Sequence, residues 1–111
     1  MKNFNEVTSK IVASIVELSA GAALAEQLVL ADVEVTEMTD FGFFADFRFS
    51  PETAVEKKIE EPSRVFVYSL WNMGEEVADI LIHSSCGAIQ YLEVQFYDRI
   101  SCDHIDDFEV R

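Results

Sequence analysis

The sequence contains few basic residues, few glycines and prolines, and two cysteines. Its 111 residues carry 8 Lys and Arg against 21 Asp and Glu, which gives a formal net charge of −13 at pH 7. Nucleic-acid affinity depends largely on Lys and Arg side chains that neutralise phosphates, so direct binding to nucleic acid is not expected. The 4 glycines are never clustered, which excludes a glycine-rich phosphate-binding loop.

Long apolar runs are also absent. A membrane-spanning helix needs about 18 or more uninterrupted apolar residues, and Glu26 and Asp32 interrupt the longest candidate segments. Polar residues between positions 8 and 17 break up the apolar residues near the N-terminus, so no signal-peptide core is expected. We therefore expect a cytoplasmic protein without a membrane partner, in which Cys86 and Cys102 are reduced thiols.

The apolar content of the chain is high. Hydrophobic residues make up 50% of the sequence and aromatic residues 12%, which excludes the low-hydrophobicity regime of intrinsic disorder. A chain of this length is expected to form a single domain around one core, over residues 1–111. Within it, the sequence predicts a helical region over residues 1–27 and an antiparallel sheet over residues 28–111.

The division into a helical region and a sheet follows from the hydrophobic periodicity of the sequence. Between Phe4 and Ala22 the apolar residues recur at intervals of three and four, which predicts an amphipathic helix. After Leu28 the period changes to two, as expected for a half-buried strand. A turn at residues 38–42, where Gly42 is expected to supply a positive φ, then leads into a second alternating segment, so the two form a hairpin.

Further strands follow along the chain. Residues 64–71 are rich in β-branched and aromatic residues on both faces, which favours a central strand. Residues 77–83 and 88–97 form the next two extended segments. They are joined by a short turn in which Gly87 stands where a hairpin often needs a positive φ. Phe108 marks a short strand at an edge. The predicted fold is α+β, with an N-terminal helix packed on one face of an antiparallel sheet of about five or six strands.

Residues of the types that bind metal ions occur close together at two places in the sequence. The weak candidates for a zinc site are His83, Cys86, Cys102 and His104. Their spacing lacks the closely paired thiolates of a zinc finger or ribbon, so we predict no metal site. There is no cofactor motif or nucleophile elbow, and the acidic surroundings disfavour a thiolate at Cys86. The sequence therefore favours a protein that is not an enzyme and that holds no cofactor.

Charged and aromatic residues within the strand patterns are the candidates for a functional surface. They are Glu93, Asp46, Phe44, Tyr68, Tyr91 and Tyr97. By alternation, the two carboxylates either face solvent or line a pocket on the sheet, and solvent exposure is the simpler interpretation. A single helix covers one face of such a sheet, which makes the four aromatic residues candidates for the other face. An apolar face surrounded by acidic residues is typical of a partner or dimer interface.

Three segments carry motifs that can be compared with known sequences. Residues 39–47 read TDFGFFADF, residues 78–82 and 89–93 read ADILI and IQYLE, and residues 96–98 read FYD. These segments resemble the T-G-V-G-F-F-T-x-F hairpin, the G-A-G-F-x-L-F and L-x-x-L-E-G segments, and the Y-T-Y-D motif of a bacterial family of small proteins of uncharacterised function. The resemblance implies a shared fold and a bacterial origin, and it implies no activity.

The leading functional hypothesis is a non-enzymatic interaction module. Its acidic sheet surface would bind a basic protein partner, as toxin immunity proteins and other inhibitors do, because complementary charge speeds association and selects the partner. One alternative is a small-ligand or enzymatic site on the open sheet face around Glu93, which a concave apolar pocket would favour. The other alternative is a self-associating structural protein, such as a homodimer.

Overall fold

The structure, a computed structural model, describes residues 4–60, 62–98 and 107–111. Its helices and strands are α1 (Phe4–Leu18), α2 (Ala23–Leu30), β1 (Asp32–Thr39), β2 (Gly42–Arg48), β3 (Ser63–Asn72), β4 (Glu75–Ser85), β5 (Ala88–Phe96) and β6 (Phe108–Val110). The strands form one antiparallel sheet in the order β1-β2-β5-β4-β3-β6. The predicted α+β class and antiparallel sheet are confirmed, and the short last strand lies at an edge.

The first helix packs on the sheet through one stripe of its surface. Val7, Ile11 and Ile15 are buried at intervals of four residues, as the periodicity predicts. The stripe ends before Leu18, whose side chain is 55% exposed. Neither described helix has the length and hydropathy that a membrane crossing requires.

The second helix is longer than the sequence pattern predicts. Alternation predicts a strand that begins after Leu28, whereas α2 continues to Leu30 and β1 begins at Asp32. Leu24 and Leu28 lie one helical turn apart, and both are buried in the core. This i, i+4 pair outweighs the strand propensity of Val29, whose side chain is exposed.

The core lies between the helices and one face of the sheet. Strand residues that face the helices and are buried include Phe43, Ala45, Phe47, Ile80, Ile82, Leu92 and Val94. In the part of the chain that the structure describes, no helix packs on the opposite face, which we call the open face. From β1 across to β3, the central residues of the open face are Glu34 and Glu37, Phe44 and Asp46, Tyr91 and Glu93, Leu81 and His83, and Val65 and Val67.

Bulges interrupt the alternation of the strands. Extra residues lie at Thr36 in β1, Val77 in β4 and Gln90 in β5. At Gln90 the bulge lets Ile89 enter the core while Tyr91 points to the open face, although uninterrupted alternation would place both on one face. The bulges therefore decide which side chains reach the open face.

Two-residue turns join β3 to β4 and β4 to β5. Met73 and Gly74 have φ values of 52° and 80°, and Cys86 and Gly87 have values of 53° and 84°. Positive φ at both central residues defines the type I′ turn, whose twist matches the twist of antiparallel strands. The positive φ that the sequence predicts at Gly87 is confirmed.

The positive φ predicted for Gly42 is wrong. Gly42 does not have a positive φ, and it pairs with Gln95 where β2 runs closest to β5. A Cβ atom at this position would overlap the carbonyl oxygen of Val94. Glycine is required here because two backbones approach each other closely, which is the other common reason for a glycine within a strand.

A buried glutamine connects three parts of the fold. Gln27 is 1% exposed, and its Nε2 donates to the carbonyl oxygens of Lys57 and Gly87, each at 2.8 Å. Its Oε1 accepts from the backbone N–H of Ile89 at 2.9 Å. The side chain thus joins α2, the connection between β2 and β3, and the β4–β5 hairpin.

The β3–β4 turn leads to a stability prediction. Met73 adopts a left-handed backbone conformation and is 91% exposed, so replacing it sacrifices little packing. Asparagine tolerates this conformation better than methionine, and we expect Met73→Asn to raise the free energy of unfolding by about 1 kcal/mol. Urea denaturation measures the change. Met38→Asn, at a half-exposed position in the extended β1, is the control, and an equal gain there would contradict the explanation from turn geometry.

Candidate functional site: the open face of the sheet

Four of the six candidate residues lie together on the open face. Glu93 in β5 lies directly opposite Phe44 in β2 and Leu81 in β4. One pair further along, Tyr91 lies opposite Asp46 in β2. Cross-strand neighbours of this kind have Cβ atoms about 5 Å apart, so their side chains form one continuous surface.

Tyr68 does not belong to this surface, so its predicted place on the open face is wrong. It pairs with Ile80 in β4 and packs against the core on the face that the helices cover. Both faces of β3 are apolar, and its sequence therefore does not show which side chains point toward the helices. The register with β4 decides this, and it leaves Val65 and Val67 on the open face instead.

Tyr97 lies at one end of the open face, just after β5. Its hydroxyl group is 2.7 Å from Glu76 Oε1 and 2.8 Å from Asp79 Oδ1, within hydrogen-bond distance of both. The hydrogen bonds with Glu76 and then Asp79 raise the pKa of the Tyr97 phenol, because ionising it would remove the hydrogen that these carboxylates accept. Tyr97 thus remains a neutral donor in an acidic corner of the face.

Glu93 is much less exposed than the sequence suggests. Its side chain is 15% exposed, whereas solvent exposure is the simpler expectation for a charged residue on an uncovered sheet. Gln95 Nε2 donates to Glu93 Oε2 at 2.5 Å, and His83 Nε2 lies 3.5 Å from Glu93 Oε1. The neighbouring side chains therefore hold this carboxylate near the centre of the face.

His83 is the residue of this group that the sequence did not connect with Glu93. Its ring stacks on Tyr91 with centroids 4.3 Å apart and an interplanar angle of 17°, and Tyr91 in turn contacts Phe44 at 6.2 Å. His83 Nε2 is within ion-pair distance of Glu93, yet it is buried and makes no hydrogen bond to any described residue. The pairing of His83 with Tyr91 comes immediately before the bulge at Gln90, and hence sequence alternation alone does not reveal it.

The structure does not assemble the metal-ligand candidates that it describes. Cys102 and His104 lie outside the described residues. Cys86 is exposed at the β4–β5 turn with a free thiol, while His83 packs on the open face against Tyr91. Among the described residues, no group of three or more His, Cys, Asp or Glu side chains is arranged to hold a metal ion.

A cleft of about 340 Å³ borders Glu93 at the β2–β5 seam. The cleft is lined by Glu93 and by seven other residues, which are Thr39, Phe41, Phe43, Phe44, Val94, Gln95 and Phe96. Glu93 supplies the charge of the cleft, since no other ionisable residue of the described chain lines it. The arrangement of a held carboxylate beside aromatic rings suits the binding of an organic cation.

Comparisons of the chain with protein-family models, with curated proteins and with solved structures gave no match.

Proposed function

We propose that the protein is an interaction module that binds a basic protein through the open face of its sheet. The observation that carries the proposal is the composition of this face, in which carboxylates surround an apolar and aromatic centre. Toxin immunity proteins and other protein inhibitors likewise use an acidic surface against a basic partner. Bacterial origin, implied by the resemblance described above, is part of the same proposal.

Acidic side chains dominate the edges and one end of the open face. They are Asp32, Glu34, Glu37, Asp46, Glu76, Asp79 and Glu109. Among the described residues the basic side chains of this face are Arg48 and Arg111, and Arg111 already pairs with Glu109 at 3.2 Å. Complementary charge steers association and excludes acidic proteins, which supports a basic partner.

The centre of the face is apolar. Val65 and Val67 are 46% and 64% exposed, and they continue through Leu81 toward the rings of Phe44 and Tyr91. Interfaces commonly place aromatic and aliphatic residues in the centre and polar residues around them. These exposed β-branched and aromatic side chains supply the contact area that charge alone lacks.

One cross-strand pair of like charges supports the proposal. Glu34 lies directly opposite Asp46 in the β1–β2 pairing. Like charges at directly opposed positions destabilise a sheet, while an opposite charge at either position would stabilise it. A basic partner that lies between the two carboxylates would remove this repulsion on binding.

Basic residues gather on the other side of the molecule. Lys57, Lys58 and Arg64 line a cleft of about 460 Å³ beside the first residues of α2. Lys57 there forms an ion pair with Glu26 at 3.1 Å. This segregation leaves the open face more negative than the molecule as a whole, and it argues against a second copy of the chain as the occupant, because two acidic faces would repel each other.

Charge reversal on the open face tests the proposal. We expect Glu34→Lys with Asp46→Lys to abolish retention of a basic partner by the immobilised protein. The control, Glu6→Lys with Glu17→Lys, makes the same change in net charge at exposed positions of α1. Retention is measured from bacterial lysate at about 50 mM and about 500 mM NaCl, since screening weakens surface electrostatics.

The comparison of variants decides the result, because an acidic protein captures some basic proteins through charge alone. A partner that binds the wild type and the α1 variant, but not the open-face variant or the wild type at high salt, supports the proposal. Equal retention by all three proteins would show that net charge alone is responsible. Sedimentation of the purified protein separately tests the homodimer, which predicts a mass of twice 12.6 kDa.

A further inference from the structure

We infer that the cleft at the β2–β5 pairing is an anchor site for an arginine side chain of the basic partner, and that Glu93 receives its guanidinium group. This inference rests on the proposed function and names the contact at its centre. The cleft is lined by Phe41, Phe44, Glu93 and Gln95, and its volume of about 340 Å³ exceeds that of one arginine side chain.

Residues of two paired strands line the cleft, among them Phe44 of β2 and Glu93 and Gln95 of β5. Phe44 lies directly opposite Glu93 in the β2–β5 pairing. Because these residues belong to paired strands, the cleft is a fixed part of the sheet and requires no rearrangement of the backbone before a side chain enters it.

The burial and the hydrogen bonding of the Glu93 carboxylate indicate that the cleft binds a cation. A carboxylate has about four acceptor positions, and the hydrogen bond that the described residues give Glu93 comes from Gln95. Burial to 15% exposure removes much of the water that would satisfy the remaining positions. His83 Nε2 lies 3.5 Å from Glu93 Oε1 without a hydrogen bond, so Gln95 is the hydrogen-bond donor that the described residues supply to this carboxylate.

The rings favour arginine over lysine. Phe41 is 49% exposed and Phe44 half-buried, and both line the cleft with Glu93. A guanidinium group is planar and weakly hydrated, so it can stack on an aromatic ring while it donates to a carboxylate. An ammonium group is strongly hydrated and has no planar face. The chain contains one such arrangement, in which Arg111 lies over the Trp71 ring at 4.1 Å while it donates to Glu109.

A titration with N-acetyl-arginine amide tests the inference. We expect saturable changes in the amide NMR signals of Phe41, Phe44, Glu93 and Gln95, with a dissociation constant in the range of about 1–10 mM, as is usual for a fragment of this size. N-acetyl-citrulline amide has nearly the same shape without the charge, and we expect it not to bind. The lysine analogue is expected to bind several-fold more weakly than the arginine analogue.

Two variants make the test specific. Glu93→Gln keeps the shape of the side chain, and we expect it to weaken binding of the arginine amide by about tenfold or more. Glu17→Gln removes one exposed carboxylate from α1, outside the open face and the cleft, and we expect a change of less than about twofold. The amide spectra show at once whether each variant is folded. If Glu93→Gln does not fold, Phe44→Leu replaces it, with a smaller loss expected because the stacking surface is removed.

The outcomes separate this inference from the proposed function. Equal loss of binding in Glu93→Gln and Glu17→Gln, or equal binding of citrulline amide, would overturn the anchor site. Failure of arginine amide to bind, together with loss of the partner from the Glu34 and Asp46 variant, would also overturn it but leave the proposed function intact. Competition between arginine amide and the captured partner supports the anchor site, whereas binding of arginine amide without competition would assign the cleft to a free guanidinium ligand and overturn the inference.

Discussion

Replacing Gln27 with leucine is expected to lower the free energy of unfolding by about 3 kcal/mol or more. The substitution keeps the side chain about the same size, but it removes the partner of the Lys57 carbonyl and of the Ile89 N–H. Each buried polar group that loses its partner costs about 1–3 kcal/mol. The Gly87 carbonyl is affected less, since it also accepts from the backbone N–H of Ile59 at 3.0 Å.

Urea denaturation followed by the fluorescence of Trp71 measures the Gln27→Leu effect, since the chain has a single tryptophan. Gln90→Leu is the matched control. Gln90 is exposed, and its side-chain hydrogen bonds are long, at 3.4 Å to the carbonyls of Ser85 and Ala88. We expect its replacement to change the stability by less than about 0.5 kcal/mol. Similar effects of the two substitutions would show that the buried hydrogen bonds of Gln27 contribute little to stability.

Replacing Gly42 with alanine is expected to lower the free energy of unfolding by about 3 kcal/mol. The added Cβ would overlap the carbonyl oxygen of Val94, which belongs to the paired backbone of β5 and cannot rotate away. The two strands must separate to relieve this overlap, and the hydrogen bond from the Phe96 N–H to the Phe41 carbonyl, 2.7 Å long, lies next to the point of separation. Overpacking against rigid surroundings typically costs about 1–3 kcal/mol, and the loss of strand pairing adds to it.

Gly74→Ala separates this steric effect from ordinary glycine replacement. Gly74 has a φ of 80°, and no neighbouring atom lies within 4 Å of the position that a Cβ would take. We expect its replacement to lower the free energy of unfolding by about 1–2 kcal/mol, because a left-handed backbone conformation is unfavourable by about this amount for a residue with a Cβ atom. Denaturation of both variants gives the comparison, and a smaller cost for Gly42→Ala than for Gly74→Ala would contradict close backbone approach as the reason for Gly42.

Much of the fold follows from local patterns. The three- and four-residue spacing from Val7 to Ile15 predicts α1, and the alternation in β2 correctly places Phe43 and Phe47 toward the core and Phe44 and Asp46 away from it. These predictions succeed because one face of each element is apolar and the other is polar. They fail where both faces are apolar, as at Tyr68 in β3, or where a strong strand former lies in a helix, as at Val29.

The candidate site depends on contacts that no local pattern contains. Four residues of the site can be selected from the sequence because each is a charged or aromatic residue within a predicted strand. They are Glu93, Asp46, Phe44 and Tyr91. The approach of His83 to Glu93 requires the β4–β5 register, and a bulge at Gln90 sets that register. The cleft requires the pairing of β2 with β5, although these strands are far apart in the sequence. Since both features arise from long-range pairing, only the assembled sheet reveals them.

The pairing of β2 with β5 also has an electrostatic consequence. It joins two parts of the chain that are both acidic, with three basic and nine acidic side chains up to residue 55 and five basic and twelve acidic ones after it. Folding therefore brings two negatively charged parts of the chain together, and their mutual repulsion opposes folding. Added salt screens this repulsion and is expected to stabilise the fold, while the same screening weakens a charged partner's hold on the open face. Salt thus acts in opposite directions on folding and on recognition.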